Sequence, residues 1–318
     1  MSGIFLGVDG GQSGTTALVA NEQGQILGRG LAGPCNHTSG ADAAAKLKRV
    51  VSECVTAACK AAGIAYPAVF EAACFGMSGG PADKLDILQK TVSARQWLVT
   101  DDGAIALSGA LAGEPGVITI AGTGSFARGR GPTGDMRRAG GWGYVFGDEG
   151  GAFDIVRQAL RACLRAAEGW GDKTNLSDMF LSRTGCGDMN AVLHLFYTDE
   201  WPRSRVAGLA ICVDDCARGG DLLARGILEN AAQSLALFAQ SVARQLWQED
   251  FSVTCSYIGG VFRSSSVLHR FRSLLELSGN LVMEPVMGPA SGALLEAYRL
   301  AGAMPDRTKL LSSEFRHE

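Results

Sequence analysis

A three-stranded meander that occurs twice is the feature that most limits the fold of this chain. In each copy, three short apolar strands follow one another, and a turn of glycines and small polar residues comes directly after the first strand. The predicted strands are 4–8, 16–20 and 26–30 in the first copy, and 117–120, 126–130 and 136–140 in the second. Such repetition indicates an internal structural duplication, in which each copy begins a separate α/β domain.

The segments outside the meanders show the spacing of helices and buried strands. Apolar periodicity predicts helices over 42–63, 82–94 and 104–112, with strands over 72–77 and 97–100. Helical segments fill much of 151–250, a strand follows at 257–258, and a final helix covers 289–301. The tail after Pro305 is polar, and we expect it to be loosely held.

The length of the chain, 318 residues, exceeds the usual size of a single hydrophobic core. We predict an N-terminal domain over 1–114 and a C-terminal domain over 115–318. An open alternative for the last helix, about 290–301, is that it packs back on the N-terminal domain.

Composition favours a small-molecule ligand. The net charge of −3 offers no electrostatic footprint for nucleic acid or an anionic membrane, and 43 glycines indicate many tight turns. The nine cysteines form no CxxC pair, so a zinc or disulfide framework is poorly supported and a reducing compartment is expected. The sequence shows neither a leader segment nor an apolar run of the ~20 residues that span a bilayer, which predicts a cytoplasmic protein.

The turn of the first meander has the composition of a phosphate-binding hairpin. Its strand ends in Asp9, and the residues that follow include Gly10, Gly11, Ser13, Gly14 and Thr15. Glycines let a phosphate approach backbone N–H groups closely, and a carboxylate beside them suits a metal ion. The alternative is a glycine-rich β-turn in which the aspartate only caps its own loop.

The turn of the second meander repeats this arrangement with hydroxyls in place of the carboxylate. Gly122, Thr123 and Gly124 precede Ser125, so two loops from two domains could hold one polyphosphate. Neither loop carries the lysine of a P-loop, and neither leads into the helix that a dinucleotide-binding GxGxxG motif requires. Those two families are therefore excluded.

The order and spacing of several motifs resemble one family along nearly the whole chain. The motifs are GVDGGQSGTTALV at 7–19, Asn36-His37, MSGG at 77–80, VTDDGAIAL at 99–107, ITIAGTGS at 118–125, GGWGYVFGDEGG at 140–151, YIGGV at 257–261 and GPASGALLEA at 288–297. Together they resemble the N-acetylglucosamine kinase and BadF-type ATPase group of the actin-like ATPase superfamily. The resemblance implies an α/β fold of two actin-like (ribonuclease H-like) domains, each a mixed five-stranded sheet with flanking helices, and a cleft between them.

Phosphoryl transfer to a hydroxyl needs a carboxylate within hydrogen-bond reach of that hydroxyl. Asp102 is the candidate, because it follows a strand, precedes a helix and aligns with the catalytic aspartate of the resembled kinases. The adjacent Asp101 leaves two readings open: one aspartate caps the helix while the other is the base, and the sequence does not decide which.

The segment 140–151 fits neither helical nor strand periodicity and combines a tryptophan, two acidic residues and six glycines. An aromatic ring can cover the apolar face of a sugar while a carboxylate accepts its hydroxyl protons. By resemblance, Trp142 and Asp148 would contact the sugar, and the other predicted contacts are Asn36, Ser78, Gly79, Thr123 and Asp102. Ordinary core filling is the alternative for Trp142.

The predicted adenosine site is Gly259, Gly260 and Val261, where absent side chains let a base and ribose lie against the backbone. The resemblance implies ATP with Mg²⁺, the metal being held mainly by phosphate oxygens and reached by Asp9 through water. It also implies a homodimer.

The favoured function is phosphorylation of N-acetylglucosamine at its 6-hydroxyl, with glucosamine or N-acetylmuramate as alternative substrates. A second class is an ATPase that activates a partner enzyme, as BadF-type proteins do. Activators of that kind carry cysteines beside the second phosphate loop, and no cysteine adjoins that loop here. A sugar-binding protein without catalysis is disfavoured, because Asp9, Asp102 and both hairpins are present.

Overall fold

The computed structural model describes residues 3–11, 14–35, 41–79, 84–248 and 251–314. The chain forms two compact units: Met1–Pro115 together with Glu284–Glu318, and Gly116–Met283. The contacts thus assign 284–318 to the first unit, whereas the sequence analysis listed these residues with the second domain and allowed the last helix to pack back.

The first unit begins with the predicted meander and continues with alternating helices and strands. Its elements are β1 (Ile4–Gly10), β2 (Thr15–Asn21), β3 (Ile26–Ala32), α1 (Ala41–Ala61), β4 (Val69–Met77), α2 (Leu85–Gln89), β5 (Ser93–Asp101) and α3 (Asp102–Ala110). The sheet has the order β3-β2-β1-β4-β5, antiparallel through the meander and parallel from β1 to β5. The carboxyl ends of β1, β4 and β5 therefore lie at one edge.

The second unit repeats this architecture. Its elements are β6 (Gly116–Ala121), β7 (Ser125–Arg130), β8 (Met136–Gly140), α4 (Ala152–Ala167), α5 (Leu176–Thr184), α6 (Met189–Leu195), α7 (Arg203–Ala207), α8 (Ala210–Arg218), α9 (Leu222–Leu246), β9 (Thr254–Ile258), α10 (Ser265–Leu277) and β10 (Leu281–Val282). The sheet order is β10-β9-β6-β7-β8, again with an antiparallel meander and parallel pairs β6–β9 and β9–β10. Two mixed five-stranded sheets with flanking helices confirm the predicted fold class.

The chain then returns to the first unit with α11 (Pro289–Leu300) and α12 (Arg307–Glu314). Helix α11 packs against β1 and α3, and a Cβ added at Gly7 would lie 2.4 Å from the Leu294 nitrogen. Only glycine lets helix and strand approach this closely. Helix α1 packs against β3 in a similar way, since a Cβ at Gly30 would lie 2.0 Å from the Cys54 oxygen.

Two local predictions are wrong. The helix predicted over 82–94 ends at Gln89, and β5 begins at Ser93, because Ser93–Asp101 pairs with β4 and strand pairing overrides the helical spacing of the sequence. The tail is not loose throughout: α12 buries Leu310 completely, and the Ile26 N–H donates a hydrogen bond to the Ser313 hydroxyl. Among the helices that the structure describes, none is long and apolar enough to cross a membrane.

Candidate active site

The first hairpin joins β1 to β2 through a tight backbone turn. The Gly11 N–H donates to the Gly14 carbonyl at 2.9 Å, and the Thr15 hydroxyl donates to the Gly33 carbonyl at 2.9 Å. A Cβ at Gly10 would come within 2.7–2.8 Å of the side-chain ends of Met77 and Cys35, so a larger residue there would require these side chains to shift. Gly10 and Thr15 thus have structural roles in the hairpin, and the predicted Ser13 lies outside the described residues.

Asp9 lies near the end of β1, where the chain turns into this hairpin. Burial and, to a smaller extent, repulsion from the Asp102 carboxylate together raise the pKa of Asp9 to about 6. Two carboxylates that repel each other at one edge of a sheet form a donor set that suits a cation. No group of three or more metal-ligating side chains occurs among the described residues.

Asp101 and Asp102 have different local partners. Asp101 is the N-cap of α3, and its side chain accepts a hydrogen bond from the Ala104 N–H at 3.0 Å. Asp102 is the first residue of α3, and its Oδ1 accepts from the adjacent Gly103 N–H at 2.9 Å. The capping position is therefore filled by Asp101.

Ser78 and Gly79 follow β4 at the same edge of the sheet. The Ser78 N–H donates to the Gly10 carbonyl at 3.0 Å, and Gly79 adopts a φ of +79°. The first unit thus brings together Asp9, Ser78, Gly79 and Asp102. The predicted sugar contact Asn36 lies outside the described residues.

The second hairpin is fixed by the start of α4. The Gly122 N–H donates to the Gly124 carbonyl at 3.0 Å, while the Gly122 and Thr123 carbonyls accept from Ala152 and Phe153 N–H groups at 2.8 and 3.1 Å. These bonds use acceptors of the hairpin and fix its backbone. A Cβ at Gly122 would have no neighbour within 4 Å, so the hairpin has open space on that side.

This open space belongs to a cavity of about 620 Å³ within the second unit. Gly122 and Thr123 line it together with Gly260 and Val261, which unites the second hairpin with the predicted adenosine motif. The preceding residue, Gly259, adopts a φ of +112°, and a Cβ added there would lie 2.3 Å from the Ala121 oxygen. A Cβ at Gly260 would again face open space, so the backbone here fits a flat ligand such as a nucleoside.

Sequence reasoning missed the polar side of this cavity. Asp214 lines it from α8, accepts a hydrogen bond from the Ser264 hydroxyl and pairs with Arg218 Nε at 3.2 Å. Asp214 and Arg218 stand four residues apart on one helix, which is a recognisable pair. Nothing in the sequence connects that pair to Ser264, because the three residues meet only in the folded chain.

The two candidate sugar contacts of the loop at 141–151 differ in solvent exposure. Trp142 is 82% exposed, so the core-filling alternative is wrong. Asp148 is only 7% exposed and adopts a φ of +60°. A Cβ at Gly124 would lie 2.4 Å from the Asp148 Oδ2, which puts this carboxylate directly against the second hairpin. The second unit thus groups Asp148 with Gly122, Thr123 and Gly124.

Comparisons with known proteins identify what the whole chain is similar to. The chain is 29% identical over 279 residues to the N-acetylmuramic acid/N-acetylglucosamine kinase of Clostridium acetobutylicum, covering 86% of this chain and 90% of the relative. It is 28% identical to the N-acetyl-D-glucosamine kinase of Dictyostelium discoideum, covering 92% and 97%. The solved structure of a candidate N-acetylglucosamine kinase from Chromobacterium violaceum superposes with a TM-score of 0.73 at 26% identity, over 92% of this chain and 98% of that one.

A further solved structure, a ROK family glucokinase from Streptomyces griseus, shares the fold with a TM-score of 0.57 at 16% identity, over 94% of this chain and 100% of that one. The model of one family matches residues 6–297, which is most of the chain. The resemblance inferred from the motifs is confirmed: the chain belongs to the BadF/BadG/BcrA/BcrD ATPase family.

Proposed function

We propose that this protein is an ATP-dependent sugar kinase that phosphorylates an amino sugar, with N-acetylglucosamine and its 6-hydroxyl as the favoured substrate and position. The observation that carries the proposal is the separation of roles at the start of α3. Asp101 caps the helix, so the Asp102 carboxylate beside Asp9 is available to accept a proton. The kinase relatives support the reaction class.

In the proposed reaction, the sugar 6-oxygen attacks the γ-phosphorus of ATP, and the bond from that phosphorus to the β–γ bridging oxygen breaks. Asp102 takes the proton of the sugar hydroxyl as general base, and ADP leaves. When bound, Mg²⁺ neutralises charge on the β- and γ-phosphates, and Asp9 would hold it through water. The Gly124 N–H would orient a phosphate oxygen, whereas the Gly11 N–H is already bonded to the Gly14 carbonyl.

The other predicted contacts keep the roles that the sequence analysis gave them. In the first unit, Ser78 and Gly79 would bind sugar hydroxyls beside Asp102, and Asn36, which lies outside the described residues, is a sugar contact by resemblance alone. In the second, Thr123, Asp148 and the exposed ring of Trp142 would bind the sugar, while Gly259, Gly260 and Val261 would bind adenosine. The buried Asp148 carboxylate, which is an acceptor only, suits a sugar hydroxyl as donor.

The name of the Clostridium acetobutylicum relative includes both N-acetylmuramic acid and N-acetylglucosamine, so N-acetylmuramate is an alternative substrate, as is glucosamine. The test incubates the protein with Mg-ATP and each of these three sugars, N-acetylmannosamine or glucose, and follows ADP and sugar phosphate together. Equal amounts of both, largest with one amino sugar, would support the proposal. ADP release that does not depend on sugar would instead favour an ATPase that acts on a partner protein.

A further inference from the structure

The short helix α7 contacts both parts of the second unit that the proposed function uses. Ser204, Ala207 and Gly208 line the 620 Å³ cavity at this helix. Arg203, its first residue, does not line the cavity and lies 4.0 Å from the Asp148 carboxylate, measured from Nη1 to Oδ2. The same short helix therefore contacts the proposed nucleotide cavity and the proposed sugar carboxylate.

The Arg203 side chain also contacts the loop that carries Asp148. Its guanidinium carbon lies 5.2 Å from the centroid of the Tyr144 ring, which is a cation–π distance. Tyr144 is held a second time by Arg157 of α4, whose Nη1 donates to the Tyr144 carbonyl at 2.7 Å. The loop is thus held to α4 by the Arg157–Tyr144 bond and by the Gly150 N–H, which donates to Asp154 Oδ2 at 3.1 Å, and it contacts α7 through Arg203.

Asp148 needs such support because its own position is demanding. It is nearly buried, it has a left-handed backbone conformation that few aspartates adopt, and its carboxylate lies against Gly124 of the second hairpin. A planar guanidinium can contact the carboxylate and stack on Tyr144 at the same time, whereas an ammonium group provides only a point charge.

We propose that Arg203 is a positioning residue that couples filling of the cavity to Asp148. A nucleotide in the cavity contacts Ser204, Ala207 and Gly208 and thereby restricts the motion of α7. Through Arg203, the restricted helix fixes the Asp148 carboxylate and the loop at 141–151. Nucleotide and sugar then bind with positive coupling, and the coupling is reciprocal. This inference rests on the proposed function for the sugar, but its effect on the loop does not require a sugar.

The first measurement is the dissociation constant of N-acetylglucosamine, with and without saturating AMPPNP, for the wild type and Arg203→Gln. We expect AMPPNP to tighten sugar binding about fivefold or more in the wild type and less than twofold in Arg203→Gln. The variant should bind AMPPNP alone within about twofold of the wild type, since Arg203 itself does not line the cavity. Arg203→Lys should restore part of the coupling, because it keeps the charge.

Arg205→Gln is the matched control. Arg205 belongs to the same helix but stacks on Trp201, 4.2 Å from its ring centroid, so its loss should leave the coupling as in the wild type. A second control combines Arg203→Gln with Asp148→Asn, where Arg203→Gln should have no further effect on sugar binding. Equal coupling in the wild type and Arg203→Gln, or an undiminished effect of Arg203→Gln in the Asp148→Asn background, would overturn the inference.

The second measurement separates this inference from the proposed function. Hydrogen exchange of the peptide covering 141–151 is followed with AMPPNP alone. Protection in the wild type that is lost in Arg203→Gln would support the coupling even if no amino sugar is phosphorylated. No difference between the two proteins, in a wild type that does form sugar phosphate, would refute the coupling and leave the kinase intact.

Discussion

At the residue scale, two adjacent aspartates show how position divides chemistry between identical side chains. Asp101 satisfies an N–H group at the start of α3, and Asp102 accepts only from its neighbour Gly103 among the hydrogen bonds described for it. The sequence could propose that one aspartate caps and the other reacts. It could not assign them, because the assignment depends on the extended backbone of Asp101, with φ −86° and ψ 162°.

Asp102→Asn should abolish turnover while leaving the fold intact. The amide cannot accept the sugar proton, so kcat should fall by about 10²–10⁴-fold. The KM values for ATP and sugar should change little, since the side-chain shape is kept. Coupled ADP assays of steady-state rates provide the measurement.

Asp101→Ala is the control for that substitution. Loss of the N-cap should lower the free energy of unfolding by about 1 kcal/mol, measured by urea denaturation, with kcat nearly unchanged. The opposite result, in which Asp101→Ala is inactive and Asp102→Asn is active, would transfer the base to Asp101.

Asp9 predicts a pH dependence of stability. Its folded-state pKa is raised to about 6, so its ionised form is disfavoured in the native state and stability is lost as pH rises from about 4 through 6. Asp9→Asn removes this ionisation. Without Mg²⁺ and nucleotide, the variant should therefore melt at a higher temperature than the wild type at pH 7.5.

The gap between the two melting temperatures should shrink as the pH is lowered to 5, because the wild-type carboxyl becomes protonated. Differential scanning fluorimetry in buffers from pH 5 to 7.5 measures this gap. A gap that is constant over the range would show that ionisation of Asp9 does not set it.

At the element scale, the two glycine-rich turns contain glycines required for different physical reasons. A Cβ at Gly259 would collide with the Ala121 backbone and one at Gly10 would displace the Met77 and Cys35 side chains, whereas Gly122 and Gly260 face open space. Composition alone identified all four as ligand-binding candidates. The distinction depends on neighbours such as Met77 and Ala121, which belong to other strands.

Gly122→Ala and Gly259→Ala should separate binding from folding. The methyl group at 122 enters the cavity without meeting protein atoms, so the melting temperature should be unchanged while the KM for ATP rises, by about tenfold if one contact is lost. Alanine at 259 must adopt φ +112° and approach the Ala121 oxygen. It should cost at least about 2 kcal/mol of stability.

Thermal melting and ATP-dependent rates of the two variants, measured side by side, test this contrast. An unstable Gly122→Ala protein would mean that the hairpin itself requires glycine there. An unchanged KM for ATP in Gly122→Ala would show that this part of the cavity does not bind the nucleotide.

The regular elements were the most predictable part of the molecule. Both meanders were predicted from alternation and turn residues, and each of the six meander strands extends by at most two residues beyond its predicted ends. The errors occurred in elements that depend on tertiary contacts. Strand β10 has only two residues and is defined by its pairing with β9. Helix α12 contains Leu310, which is completely buried in the first unit.

At the scale of the whole molecule, the sequence indicated the duplication but did not assign the last segment. The sequence of α11 predicts a small-residue helix that could pack against either domain. Its membership follows from contacts between residues far apart in sequence, such as the hydrogen bond from the Tyr298 hydroxyl to the Asn21 carbonyl, 277 residues away. The spacing of residues in the sequence does not predict such contacts.

A chain that ends at Met283 should lose the structure of the first unit. It would expose a core in which Phe5, Leu18 and Ile105 pack against Leu294 and Tyr298. Burial of each large apolar side chain contributes about 1.5–3 kcal/mol, so the total approaches the stability of a whole domain. Hydrogen exchange of residues 4–32 should become fast, while the peptides of 116–283 stay protected.

A chain that ends at Ala303 is the control, because it keeps α11 and loses α12. It should fold with reduced stability, since it keeps the α11 contacts and lacks those of the last segment, among them the buried Leu310, the bond to Ser313 and the Arg307–Glu114 pair. Protection of residues 4–32 in the chain that ends at Met283 would show that the first unit does not need its last segment.

The discontinuity of the first unit has a consequence for biosynthesis. A ribosome delivers the strands of the first unit first, yet α11, which packs against their sheet, is made only after the whole second unit. The second unit, a single continuous stretch, can complete its folding earlier. The nascent protein therefore carries a sheet that lacks α11 until residues 289–300 have been made, and this interval is when chaperones would have the most to bind.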